Sequence, residues 1–241
     1  MAGESISQGW GIVSRGFRKA YDYFGTVMII STIWFFLGLF PTWLSFLVFV
    51  QVPAINSLGI FLVCAFFLLG PLTAAVYSIT DVLFRGDEVH YKEYFTHLKK
   101  HYKRSVRVTA AMGILLAILV VDLLYFLQLQ FGFLQLVSVL WMYLILFWLM
   151  MMQYVYPLLV RREVGTWEIL KMGALLAMDN IVATLIVGLF SVIVVVASYY
   201  LRVPLMLLMV GVIAFLHNAA LDELLRKYPR AQALDEPVQN E

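Results

Sequence analysis

Residues 25–80 contain no Asp, Glu, Lys or Arg, an uncharged run of 56 residues bounded by Gly25 and Thr80. One crossing of a hydrocarbon core takes about 20 apolar residues, so the run holds two crossings and the turn between them. A soluble domain has no use for such a stretch, and the chain reads as an integral membrane protein. Composition agrees, with 63% of the 241 residues hydrophobic and 13% charged, far from the usual globular balance. That length suits one helical bundle without a second folded domain. The single cysteine, Cys64, sits in an apolar stretch and reads as a small apolar filler.

Six apolar segments emerge, at residues 25–50, 58–80, 106–129, 133–159, 181–200 and 203–221. Each is long enough to span with some tilt. Pro41 is compatible with a kink in a long first helix or with the end of a short one, and Pro53 with Asn56 favours the turn that follows. The first 24 residues are too polar for the apolar core of a signal peptide.

Lys and Arg set the orientation. Of the 17, only Arg202 falls on one side of the expected topology, and all the rest fall on the other. The expectation is an even number of crossings, with both termini cytoplasmic and short outer turns. Residues 6–24 and 88–104 place apolar side chains three and four apart, opposite Arg18, Lys19, Lys92, Lys99, Lys100 and Lys103. These stretches read as amphipathic helices lying in the interface. Residues 167–175 form a weaker third example, and the tail from 222 to 241 is polar. The expected fold is therefore an all-α polytopic bundle: an N-terminal interfacial helix at 1–24, six crossings over 25–221 with an amphipathic insert at 81–105, and a cytoplasmic tail at 222–241. The three interfacial segments, each before a pair of crossings, allow a threefold parallel repeat; positive-inside hairpins alone produce the same look.

One segment has a family look. Gly70-Pro71-Leu72-Thr73-Ala74-Ala75-Val76-Tyr77 is followed by Leu83-Phe84-Arg85-Gly86-Asp87-Glu88, and then by Tyr94-Phe95 ahead of Leu98-Lys99-Lys100-His101-Tyr102-Lys103. This resembles the YesL family of small bacterial membrane proteins. Tyr156-Pro157-Leu158-Leu159 and residues 170–176 fit the same likeness. The resemblance implies no known enzymatic activity, no cofactor and no inherited catalytic residue. It implies an accessory role in carbohydrate uptake, with an ABC-type sugar permease as the partner to seek. A small-solute transporter or channel is the rival reading.

The residues themselves support several readings. Gly70, Pro71 and Thr73 mark a hinge candidate: the glycine permits close approach, the proline removes one helical hydrogen bond, and Thr73 can return a hydroxyl to the freed carbonyl. A structural kink and a substrate-facing break both fit. Asp122 is the one acid deep in a crossing. It is open to pairing with Arg202, to reaching the outer interface alone, or to binding a cation or proton. Asp179 and Asn180 before the fifth crossing, with His217 and Asn218 late in the sixth, form a second polar group, which Gln153 and Tyr156 join if they face inward. Capping and interhelical hydrogen bonding explain this group, as does a solute or proton site. Lys99, Lys100, Lys103 and Arg104 suit anionic lipid headgroups or a docking partner. Nucleic acid is not expected at a membrane-bound helix. His97 and His101 have zinc-compatible i, i+4 spacing but no third ligand nearby in sequence, so no metal is expected. No Walker A loop, Rossmann glycine pattern, GxSxG or CxxC is present.

Overall fold

The computed structural model describes residues 2–52, 55–128, 132–201 and 203–226, with residues 2–5, 55, 132–136, 201 and 203–206 described for the backbone alone. Ten α-helices follow in order among them: α1 (Ala2–Asp22), α2 (Phe24–Trp34), α3 (Phe40–Gln51), α4 (Ile55–Val63), α5 (Gly70–Arg85), α6 (Tyr94–Gln128), α7 (Gly132–Arg161), α8 (Thr166–Asp179), α9 (Ile181–Leu201) and α10 (Val203–Leu225). A π-helical stretch, Phe35–Leu39, joins α2 to α3, and another, Cys64–Leu69, joins α4 to α5. Six helices are long and apolar enough to cross a membrane, as expected: Phe24–Gln51, Asn56–Arg85, Tyr91–Gln128, Val137–Arg161, Ile181–Tyr200 and Leu207–Leu225.

Helices answer the demand that lipid makes on the backbone, since every N–H and C=O must be satisfied within the segment. The two π stretches show how the prolines meet that demand. Pro41 and Pro71 each follow a π stretch within two residues, and there Phe40 N–H bonds to Phe35 O and Gly70 N–H to Ala65 O, five residues back. The extra residue per turn moves the upstream carbonyls away from the proline ring. Pro41 thus lies inside a continuous first crossing and does not end it. The two π stretches also meet: a Cβ on Gly38 would lie 3.0 Å from Leu72 Cδ1 and 3.2 Å from Leu69 Cδ1.

α5 and α10 form the centre. α5 packs on α6, α7 and α10, while α10 packs on α1, α2, α5 and α9. Small side chains let these backbones approach: Ala74, Ala75, Ala214, Ala219 and Ala220 are wholly buried. Large apolar side chains on the outside of the bundle, such as Ile114, Ile118, Val121 and Leu124 along α6, are exposed.

Several expectations need correction. The amphipathic stretch at 88–104 is not a separate helix in the interface; most of it belongs to the unbroken 35-residue α6. At about 1.5 Å per residue α6 is roughly 52 Å long, more than a core of about 30 Å requires. No Gly or Pro lies between Tyr94 and Met112 to break it. α1 also packs into the bundle, with Gly9 against Ile186, Gly16 against Leu216, and the Trp10 and Phe17 rings edge-on to Phe190. Ile6, Trp10 and Tyr21 keep an outward face. α8 buries Ile169, Gly173, Leu176 and Ala177, with Gly173 against Met151 and Val155 of α7, and leaves Trp167 exposed. Only α1 and α8 are set off from the crossings they precede by a break, at Tyr23 and Asn180. The polar tail does not start at 222, because α10 continues to Leu225.

Candidate functional site

The polar centre lies toward the basic end of the bundle, where α5, α7, α9 and α10 converge. On α5, Tyr77 and Asp81 are four residues apart and share a face. On α10, Asn218 and Asp222 have the same spacing. Tyr77 OH is 2.7 Å from His217 Nδ1, and Ser191 Oγ of α9 is 3.1 Å from His217 Nε2. One imidazole therefore sits between two hydroxyls and ties three helices. The Asn218 amide donates to Tyr77 O at 3.3 Å and to Thr80 Oγ1 at 3.0 Å.

One turn closer to the end lies a buried ion cluster. Arg161, the last residue of α7, donates Nε to Asp81 Oδ1 at 2.6 Å, and its Nη1 lies 3.7 Å from Asp222. Its side chain is 3% exposed and that of Asp81 is 7% exposed. Arg85 and Arg226 add outer pairs, to Asp81 at 3.2 Å and to Asp222 at 3.0 Å. Arg15 of α1 pairs with Glu223. A cation at the C-terminus of α7 also suits the helix dipole.

Tyr156 links this centre to an apolar cleft. Its ring stacks on Tyr77 with centroids 5.4 Å apart, and its hydroxyl is 2.9 Å from Thr109 Oγ1. The cleft, about 280 Å³, lies between the second π stretch, α6 and α7, with Phe66, Thr73, Met112 and Trp148 among its walls. Its polar groups are engaged elsewhere: Trp148 donates to Met112 O at 3.2 Å, and Thr73 to Leu69 O at 2.8 Å.

The hinge residues meet around this cleft. Gly70 is needed for close approach, since a Cβ there would overlap the Thr109 side chain. Thr73 does not serve the carbonyl that Pro71 leaves free. It bonds Leu69 O and receives the Trp34 indole N–H at 2.9 Å, while Phe67 O, four residues before Pro71, accepts from the Tyr102 hydroxyl at 3.1 Å.

The second polar group divides. His217 and Asn218 form the centre with Tyr77, whereas Gln153 turns to Thr184 O at 3.2 Å, beside Tyr154 OH to Thr184 Oγ1 at 2.6 Å. Asp179 does not begin the fifth crossing; it is the last residue of α8. Asn180 forms the turn, its carbonyl accepting from the Thr184 hydroxyl at 2.8 Å. Lys99, Lys100 and Lys103 are exposed on α6, but Arg104 is drawn inward, with Nη2 donating to the carbonyls of Arg162 and Val164 just past α7. His97 and His101 converge on the Ser78 hydroxyl, at 2.6 and 3.3 Å. Asp122 is half-buried near the far end of α6, and no hydrogen bond or ion pair reaches it among the described residues. Its suggested partner Arg202 lies outside the described residues, as does Pro53.

Sequence reasoning missed Tyr77, Asp81, Arg161 and Asp222. A faint signal existed: Asp81 is the first charge after the long uncharged run, and Arg161 is the first after the fourth apolar segment.

The model of a family described as a protein of unknown function, DUF624, matches residues 27–123. The match covers the first hairpin and most of α6, less than half the chain, and agrees with the YesL-like resemblance, since that family carries this description. Nothing matches among the curated proteins, and nothing matches among the solved structures.

Proposed function

We propose that this chain is a non-enzymatic accessory protein of the bacterial cytoplasmic membrane, serving carbohydrate uptake as a partner or assembly factor of an ABC-type sugar permease, with both termini cytoplasmic. One observation carries the reading. The side chains of the polar centre bond chiefly to one another, from Ser191 through His217 to Tyr77 and from Arg161 to two carboxylates, with Asn218 Oδ1 a buried acceptor without a partner among the described residues, and the cleft beside them is apolar. Such a centre holds helices together; a sugar path needs polar groups aimed into an open space. The basic end of α6, with exposed Lys99, Lys100 and Lys103, supplies a contact surface. The carbohydrate link itself rests on the YesL-like resemblance.

A transporter in its own right is the second reading, favoured by the paired π stretches at Pro41 and Pro71, because broken helices recur in carriers. Crosslinked co-purification from native membranes tests the first reading. Recovery of a sugar permease with the chain supports it; recovery of the chain alone, or only with itself, speaks against it.

A further inference from the structure

We propose that a recess between the basic end of α6 and the link from α7 to α8 binds the phosphate of an anionic phospholipid headgroup. The recess is about 310 Å³ and is lined by Lys100, His101, Arg104, Arg107, Glu163 and Val164. Lys100, Arg104 and Arg107 follow i, i+4, i+7 spacing, which puts three cations on one helix face. Glu163 is the one acid in the lining.

The walls are fixed before any ligand arrives. Arg104 is held by the carbonyls of Arg162 and Val164, and His101 is buried and held by Ser78. Arg104 Nε is buried and has no acceptor among the described residues. Buried donors rarely go unpaired, and guanidinium groups favour phosphate oxygens. Position selects the source. Arg107 is the last charged residue before the uncharged stretch 108–121 of α6, so the recess lies at the membrane boundary, at headgroup depth. Soluble phosphate compounds present the same group and are separated by the test. The proposal rests on this boundary placement and stands apart from the accessory reading.

The test titrates the purified full chain in neutral detergent with phosphatidylglycerol, counting bound lipids by native mass spectrometry, and repeats the titration with inorganic phosphate. The Lys100→Gln/Arg107→Gln pair empties two walls of the recess. The Lys99→Gln/Lys103→Gln pair removes the same charge from α6 outside it. With about 1 kcal/mol per cation near a surface, the recess pair should weaken the first bound phosphatidylglycerol about tenfold or more, and the outside pair far less. Glu163→Gln should tighten it, an effect that damage to the fold does not produce. Equal losses from both pairs, or no loss from either, overturn the proposal. Binding of inorganic phosphate with the same variant pattern, without lipid binding, overturns the lipid source and keeps the phosphate site.

Discussion

Replacing Arg161 with Met should expose how much of the bundle hangs on one guanidinium. The side chain bonds Asp81 at 2.6 Å, lies 3.7 Å from Asp222 and reaches Asn218 O at 3.5 Å. Removing it strands Asp81 in a site where the carboxylate side chain is 7% exposed. Breaking a buried pair typically costs about 3–5 kcal/mol. Arg85 still holds Asp81 at 3.2 Å from an exposed position, so the loss should fall near 3 kcal/mol, the lower end of that range. Asp81→Leu alone should cost a similar amount, because it leaves Arg161 with the more distant Asp222 as its nearest carboxylate. The double variant buries an apolar pair and should recover most of the loss, since apolar replacements of buried ion pairs are often neutral or better. The assay is equilibrium unfolding in mixed micelles, run as a double-mutant cycle. Single losses that add to within about 0.5 kcal/mol in the double variant would refute the coupling and the closed centre built on it.

Other outcomes follow from particular contacts. Gly70→Ala drives a methyl into Thr109 and should cost about 1–3 kcal/mol, whereas Gly59→Ala, where nothing lies within 4 Å, should be neutral or slightly stabilising; thermal shift in detergent compares them. Tyr102→Phe takes the donor from Phe67 O beside Pro71 and should lower stability by about 0.5–1.5 kcal/mol, read in the same assay, while Tyr125→Phe, an exposed ring on the same helix, should not. For orientation, Cys64 is first replaced by Ala. A Lys92→Cys variant should then react with an impermeant maleimide only from the cytoplasmic side, and a Tyr199→Cys variant only from outside; the reverse pattern would invert the proposed topology.

The crossings were legible because hydropathy acts locally, and each of the six expected segments overlaps one of the six long apolar helices of the structure. The continuity of α6 was not, because an amphipathic stretch and an apolar stretch share the 3.6-residue period and no boundary residue marks their junction. Prolines pointed to Pro41 and Pro71 but not to the π stretches before them, whose extra residue leaves no compositional trace. The polar centre was half legible. His217 and Asn218 stood out as polar residues in apolar surroundings, yet Tyr77 hid in an apolar run and Asp81 stood at the edge of the expected amphipathic insert. The pairing of Arg161 with Asp81 and Asp222 joins residues far apart in the chain, and only packing brings them together. Arg104 looked equivalent to its lysine neighbours until the carbonyls past α7 singled it out.

Solute flux into proteoliposomes that contain the purified chain and no other protein tests the central claim most directly. With labelled mono- and oligosaccharides the account predicts uptake no faster than into protein-free liposomes. Uptake above that background, lost in a His217→Phe variant that remains folded, would show that the polar centre carries solute and would contradict the accessory reading.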